Sequence, residues 1–167
     1  MVDYRPNARK GFVLIATSVA LMILLGLAVF GIDLGRMYMI KSEMQAFADA
    51  AALSAAAEMD GSKQGLARAR AAVNRLTVGP NAMRWDMGSR PITEIFVGFA
   101  KGDTSLDPRS WQTEPESPSD CRFVRVAATA QAPLIFLRVF QPLRPTASIV
   151  VASSVAMHTS GATRLVE

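Results

Sequence analysis

The stretch FVLIATSVALMILLGLAVFGI, residues 12–32, decides the fold of this 167-residue chain. It runs for 21 residues without a charge or a proline, and at about 1.5 Å per residue a helix of this length crosses the roughly 30 Å hydrocarbon core of a bilayer. A cleaved secretory signal has a shorter apolar core that is followed closely by a small-residue cleavage site. Here a helical pattern continues beyond residue 32, so the sequence predicts an uncleaved membrane anchor.

The charges on the two sides of this run indicate its orientation. Arg5, Arg9 and Lys10 precede it against Asp3 alone, whereas charges of both signs follow it. Basic residues beside a membrane helix are retained on the cytoplasmic side. We therefore expect a single-pass membrane protein with a cytoplasmic N-terminus, in which the residues from about 35 onward lie on the far side of the membrane.

Composition excludes several classes of partner and cofactor. The formal net charge of +4 comes without a basic stripe, so nucleic acid is not expected as a partner. Cys121 is the only cysteine and His158 the only histidine. An intramolecular disulfide is thereby excluded, and a thiolate or histidine cluster for a metal is absent from the sequence. We expect no cofactor.

The apolar helix is predicted to continue outside the membrane as far as Met59. Its alanine-rich part, AFADAAALSAAA at residues 46–57, favours helix strongly. The pair Asp60-Gly61 is typical of a helix end. The prediction is one rod of about 48 residues and about 70 Å. Apolar or small residues recur on one face of it, at Met37, Ile40, Met44, Phe47, Ala51 and Ala55.

The remainder of the sequence predicts an α+β domain. Ser62 is suited to cap a second helix that ends near Leu76. Alternation and β-branched residues predict strands at Ile92–Ala100 and Cys121–Ala132, separated by a long polar loop. A last strand, in one or two segments, is predicted at Thr146–Thr159, whereas Ala132–Leu143 fits either a short helix or a strand.

The predicted fold class is therefore α+β. It consists of a long N-terminal transmembrane helix that continues outside the membrane, a second short helix, and a small, mostly antiparallel β-sheet. The corresponding division is a cytoplasmic basic stub or leader at residues 1–11, the long helix at residues 12–61, and an α+β domain at residues 62–167.

No known catalytic signature occurs in the sequence. It contains no nucleophile elbow, no zinc-protease motif and no glycine-rich phosphate loop. The acidic residues beyond the long helix are scattered, and several lie in the proline-bearing loop. We expect no enzyme, and an active site would require a cleft that gathers several residues from the set Asp86, Glu94, Asp103 and His158.

Two short motifs flank the apolar run. Asp33-Leu34-Gly35-Arg36 follows it, and a simple interpretation is an ion pair between Asp33 and Arg36 at the membrane boundary. A close helix neighbour would explain Gly35. Lys10-Gly11-Phe12 precedes the run, and its simple interpretation is a basic flank beside a glycine.

The N-terminal part resembles the TadE/TadG-like proteins of Flp (tight-adherence) pilus assembly. The shared features are a glycine, an apolar helix, a D-x-G-R-like turn and an alanine-rich Q-x-x-A-D segment. Their positions here are Gly11, Asp33, Gly35, Arg36, Gln45, Ala48–Ala52 with Asp49, and Leu53. The resemblance implies a non-catalytic envelope protein that is anchored by one helix and works with a pilus machine.

The same segment also resembles type IV prepilins. Lys10-Gly11-Phe12 looks like a prepilin peptidase site, with cleavage after Gly11. Prepilins usually carry glutamate at the fifth residue after the cut, and here that residue is Ala16. This departure argues against a repeating major subunit and leaves open a minor pilin or an uncleaved component.

The leading hypothesis is therefore a component of Flp/Tad-type pilus assembly, either a TadE/TadG-like protein or a minor pilin. The membrane, pilus or secretion-machinery proteins, and other copies of the chain are the expected partners. The alternative is a generic membrane-tethered periplasmic binding module. The positions expected at the membrane boundary and in helix contacts are Asp33, Gly35, Arg36, Met37, Met44, Gln45, Phe47, Ala48, Asp49, Ala51, Ala52 and Ala55.

Overall fold

The computed structural model describes residues 8–102, 110–133, 148–159 and 162–166. The described residues form a long helix, a short helix and six strands, which confirms the predicted α+β fold class. In order these are α1 (Ala8–Glu58), α2 (Lys63–Arg75), β1 (Arg84–Trp85), β2 (Arg90–Pro91), β3 (Glu94–Ala100), β4 (Phe123–Ala132), β5 (Ser148–Thr159) and β6 (Ala162–Val166).

The described residues group into two compact units, which divide within α1 after Arg36. In the first unit the apolar side chains of α1 point outward, as shown by Phe12 at 73% and Leu24 at 63% exposure. Such a surface is unfavourable in water and favourable in lipid. By length and composition, α1 can cross a membrane.

The helix α1 ends one residue before the predicted position, at a junction built around Asp60. The Asp60 carboxylate accepts hydrogen bonds from Ser62 N at 2.9 Å and Ser62 Oγ at 2.6 Å. It also pairs with Arg68 at 2.6 Å. The hydrogen bond from Ser62, together with Arg68, holds the pKa of this carboxyl well below its usual range. Gly61 adopts a φ of 78°, which favours glycine.

The second helix starts where the sequence predicts it. Ser62 is the N-cap, and its hydroxyl accepts a hydrogen bond from Gly65 N at 2.9 Å. Gly65 is required here because a Cβ on it would lie 2.1 Å from the Asp60 carboxylate. The turn between α1 and α2 is thus fixed by a carboxylate, a hydroxyl and a glycine within six residues.

Strands β3, β4, β5 and β6 form one antiparallel sheet in sequence order. Val97 pairs with Val126, which pairs in turn with Ser154. Side chains alternate between the two faces of each strand. On β4 every second side chain from Val124 to Ala132 is buried, so one face of the sheet lines the core.

The part of α1 beyond Arg36 supplies much of that core. Its alanine face (Ala48, Ala51, Ala52, Ala55 and Ala56) is 0% exposed, as are Ile40, Met44 and Phe47. The same core contains small residues of the sheet, including Ala128, Ala130, Ala152 and Ala156. Because alanine adds only one methyl group, a helix and a sheet that carry it on facing surfaces can approach closely.

The structure also contains elements that the sequence analysis did not predict. The two-residue strands β1 and β2 form a small hairpin, in which Trp85 pairs with Arg90. Strand β6 pairs with the end of β5, from Val155 to Thr159. Within the predicted polar loop, Gln112 pairs with Phe99 and adds one bridge to the sheet. Most of the ambiguous segment Ala132–Leu143 lies outside the described residues.

Replacement of a buried alanine of α1 by leucine is expected to destabilise the domain. Ala52 is 0% exposed, and extra methyl groups in a filled core cost about 1–3 kcal/mol. Ala57 on the same helix is exposed, so A57L is the matched control and should change stability by less than about 0.5 kcal/mol. Thermal unfolding of both full-length variants in detergent measures the difference, and equal melting temperatures would contradict this packing.

Candidate functional site

The polar residues of α1 beyond the membrane run make specific contacts with the β-structure. Lys41, Glu43, Gln45 and Asp49 lie along two turns of the helix, between its buried apolar positions. Two of these side chains, Lys41 and Gln45, bind carbonyl oxygens of β5, and Glu43 binds the β1–β2 hairpin. Their contacts define the candidate site, which consists of polar groups that are fixed and partly exposed.

Glu43 holds the turn of the β1–β2 hairpin through two backbone N–H groups. Its Oε2 accepts a hydrogen bond from Asp86 N at 2.6 Å, and its Oε1 accepts one from Met87 N at 3.1 Å. Asp86 and Met87 both have a positive φ, 58° and 55°. Successive residues in this conformation point their N–H groups into one concave site for an anion. The carboxylate of Glu43 occupies that site.

Inside the hairpin, Trp85 and Arg90 make further contacts that stabilise it. Trp85 Nε1 donates to Pro91 O at 2.9 Å, and the indole ring is buried at 6% exposure. The Arg90 guanidinium lies 5.4 Å from the Trp85 ring centroid and 3.4 Å from the Asp86 carboxylate. The hairpin is therefore a preformed unit, and Met87 at its tip is 74% exposed.

Lys41 and Gln45 bind β5. Lys41 Nζ donates to Val151 O at 2.5 Å, and Gln45 Nε2 donates to Ser153 O at 3.2 Å. Gln45 Nε2 also donates to Asp49 Oδ1 at 2.9 Å. Four residues of helix rise about 6 Å and two residues of strand about 6.6 Å. The helix and β5 therefore run in the same direction here, with matched spacing.

Several residues predicted for helix contacts lie in the core of the chain itself. Met37 is half-buried, and the fully buried positions are Met44, Phe47, Ala48, Ala51, Ala52 and Ala55. Contact with another protein through the buried set would require the core to open. Gln45 and Asp49 are half-buried. Gln45 binds β5 through Ser153 O, and Asp49 accepts a hydrogen bond from Gln45. A role of these residues in contacts between proteins stays a prediction.

The residues at the predicted membrane boundary differ in exposure. Asp33 is 2% exposed and Arg36 is half-buried, and both have interaction partners. Gly35 is exposed, and a Cβ on it would have no neighbour within 4 Å among the described residues. These residues therefore give no steric reason for glycine at this position. The predicted ion pair and helix contact stay predictions.

The residues of the predicted processing motif lie within α1. The backbone of Lys10, Gly11 and Phe12 is helical. Phe12 is exposed, and a Cβ on Gly11 would meet no atom of the described part of the chain within 4 Å. Proteolysis after Gly11 would require a local departure from helix, because a protease binds an extended segment. Processing at this position stays a prediction.

The residues named for an alternative active site do not gather in the described part of the chain. His158 Nδ1 donates to Ala56 O at 2.9 Å, which satisfies a carbonyl in the last turn of α1. Asp86 pairs with Arg90, whereas Glu94 is exposed on β3. Asp103 lies outside the described residues. Among those residues, no three of His, Cys, Asp and Glu are placed to hold a metal ion.

The surroundings of Cys121 do not favour a reactive thiol. The thiol is buried at 5% exposure, and Sγ lies 3.7 Å from Ser117 O. Burial raises the pKa of the Cys121 thiol above its ordinary value, which disfavours the reactive thiolate. The nearby ion pair joins Lys101 and Asp120 at 2.7 Å, and its hydrogen bond lowers the pKa of the Asp120 carboxyl.

The residues that sequence reasoning missed are Glu43 and Lys41. Both lie on α1 between Ile40 and Met44, which the apolar periodicity places on one helical face. Two charged residues directly beside that face were the available signal. The partners could not be found from the sequence, because Glu43 binds backbone groups 43 and 44 residues away.

The architecture defines a class of protein with one long apolar N-terminal helix that continues into a small α+β domain. Comparison with known families gives one match, which covers less than half of the chain. Residues 11–58 match the family of Flp pilus-assembly TadE/G-like proteins, which confirms the resemblance inferred from the sequence. The matched segment ends with the last residue of α1. No curated protein and no solved structure matches the chain.

Removal of the Glu43 carboxylate is expected to release the hairpin. Hydrogen bonds to a charged group contribute about 1.5–3 kcal/mol, so E43A should lower the free energy of unfolding by about that amount. Glu94 is exposed and E94A serves as the control, with little change expected. Amide hydrogen exchange at Asp86 and Met87 should accelerate in E43A only. Unchanged exchange at these two amides would show that the Glu43 contacts do not hold the turn.

Proposed function

We propose that this protein is a non-catalytic, membrane-anchored component of Flp/Tad-type pilus assembly, as a TadE/TadG-like protein or a minor pilin. It acts through helix packing and protein–protein contacts. The N-terminus is cytoplasmic, and the α+β domain is periplasmic or extracellular. The protein resides in the bacterial inner membrane with a single pass, or it enters a pilus from there.

The observation that carries the proposal is the family match over residues 11–58. These residues coincide with nearly all of α1, which is one uninterrupted helix from Ala8 to Glu58. The matched segment thus contains both the apolar run and the face that organises the α+β domain. The match therefore supports a shared membrane anchor and a shared helix beyond it.

The burial of the alanine face limits which surfaces can bind partners. Because these alanines fill the core, contacts with other proteins are made through surfaces that remain exposed. On α1 these include the apolar run, where Leu24 and Leu27 are each 63% exposed, and the boundary residue Gly35. We propose that the apolar run packs against other membrane helices, since small residues such as Gly26 and Gly31 permit close approach.

The alternative function is a generic periplasmic binding module that uses the helix only as a tether. The two functions differ in what they require of the apolar run. A tether tolerates any apolar sequence of the same length, whereas an assembly component requires specific packing surfaces. The family match within the run itself supports the assembly component.

Cross-linking within the membrane tests the assembly function. A photoreactive residue at Leu24 is expected to capture pilus subunits or proteins of the assembly machine in piliated cells. The same residue in place of Phe47, a large side chain that is 0% exposed in the domain core, should capture none of them. Capture of no protein at Leu24, together with normal piliation when the chain is deleted, would overturn the proposal.

Processing after Gly11 distinguishes a pilin-like subunit from a resident membrane protein. We propose that Lys10-Gly11-Phe12 is recognised by a prepilin-type peptidase, so that the mature chain starts at Phe12. N-terminal sequencing of protein purified from piliated cells checks this directly. The G11W variant should retain the leader, since a bulky side chain does not fit a site for glycine. A wild-type chain that keeps residues 1–11 would contradict processing.

A further inference from the structure

The four-stranded sheet has a second face, which points away from the core. On β4 the side chains from Phe123 to Gln131 at odd-numbered positions lie on the face opposite to the buried, even-numbered ones. The register places Phe96 of β3 and Ser153 of β5 beside Ala127 of β4, so all three share this face. It is called the outer face below.

The outer face exposes apolar side chains on two of its strands. Phe96 of β3 is 42% exposed and Val151 of β5 is 47% exposed. At one end of β3 the face is covered by Trp111, whose Cβ would lie 3.0 Å from a Cβ added to Gly98. Contiguous exposed apolar surface marks sites of contact with other proteins, and phenylalanine is enriched in such contacts.

The outer face also carries two opposite charges that do not neutralise each other. Arg125 on β4 is half-buried, and Glu94 on β3 is exposed. Within the described part of the chain, neither side chain forms a hydrogen bond or an ion pair. Partial burial of an unpaired guanidinium costs free energy, because the cation loses water without gaining a carboxylate. A partner that supplies a carboxylate at Arg125 would remove this cost.

The positions of these two charges are symmetric about the pair formed by Phe96 and Ala127. Glu94 lies two residues before Phe96, and Arg125 lies two residues before Ala127 on the antiparallel neighbour. Their Cα atoms are therefore about 13 Å apart along the strands and about 4.8 Å apart across them. The centre between the two charges falls between Phe96 and Ala127. A two-fold axis in the plane of the face can pass through this centre and exchange the two positions.

We propose that two copies of the chain associate through their outer faces about this axis, with Arg125 of each copy paired to Glu94 of the other. In a two-fold interface every contact occurs twice, so both arginines and both glutamates gain a partner. Phe96 and Ala127 lie at the centre, where the aromatic ring of one copy packs against the small residue and the ring of the other. The face is thus complementary to itself in charge and in apolar character.

The size of the outer face indicates a reversible dimer. Four strands at about 4.8 Å and roughly seven residues at about 3.3 Å cover about 440 Å² per copy in projection. Two copies together bury about twice this area, which is near the lower limit of roughly 1,000 Å² for a specific interface. The dimer should therefore dissociate on dilution. Pairing of the half-buried arginine then decides which surface binds, since a surface without a carboxylate leaves that cation unpaired.

Sedimentation of the full-length chain in detergent micelles tests the inference. The wild type is expected to pass from monomer to dimer as its concentration rises. R125E and E94R each bring like charges together, and each should weaken dimerisation at least about ten-fold. The double variant E94R/R125E restores opposite charges and should dimerise as the wild type does. K63E is the control, because Lys63 is exposed on α2, and it should have no effect.

Cross-linking locates the axis by a second measurement. Ala127 lies close to the axis, so A127C should face its own copy across two sheets that pack about 10 Å apart. This separation suits a short bismaleimide and exceeds the reach of a disulfide. The variant is made with C121S, which removes the other thiol. Q64C on the exposed side of α2 is the matched control and should give no cross-linked dimer.

Four results would contradict the inference. A wild-type chain that stays monomeric at every concentration removes it, and so does a dimer that neither R125E nor E94R weakens. A double variant as weak as the single ones would exclude the pairing of Arg125 with Glu94. Cross-linking of Q64C in place of A127C would assign the contact to another surface. None of these results bears on the pilus function, which is tested by the capture of pilus proteins in cells.

Discussion

The contact between the alanine face of α1 and the small residues of the sheet is the constraint on which the α+β domain depends. Both surfaces carry mainly methyl groups, so the helix and the sheet can come close without large side chains between them. This proximity brings short polar side chains of α1 within reach of the β-structure. Gln45 can bind Ser153 O, and His158 can bind Ala56 O, only because the two surfaces are close.

The polar contacts of α1 give the domain its specificity, since alanine packing alone has few distinguishing features. A helix with a uniform alanine face could shift by one turn along the sheet with little loss of contact. Glu43 binds two amides of one turn, and Lys41 and Gln45 bind two particular carbonyls. A shift of one turn would break these contacts together. The family match over residues 11–58 therefore covers both the packing surface and the residues that fix its register.

The sequence predicts the elements that carry local signals and misses those that depend on distant contacts. The end of α1 and the start of α2 follow from Asp60, Gly61 and Ser62, which act on their immediate neighbours. Strands β3 and β4 are visible as β-branched and aromatic runs. In contrast, β1 and β2 have two residues each and are held by Glu43, which is distant in sequence. The alanines of α1 show the same limit. Their small size predicts close packing, but the sequence does not identify the surface that packs against them.

The pairing of Ala56 with His158, separated by 102 positions, has a consequence for the order of folding. The N-terminal helix is synthesised first, yet its buried face is completed only when β5, near the other end of the chain, has been made. Long-range closure of this kind is slow relative to local helix formation. During this interval the larger buried side chains of α1, Ile40, Met44 and Phe47, are confined to its part before Ala48, and the alanine face that follows exposes only single methyl groups. That face therefore exposes little apolar area while β5 is still unmade, which lowers the tendency of the nascent chain to aggregate.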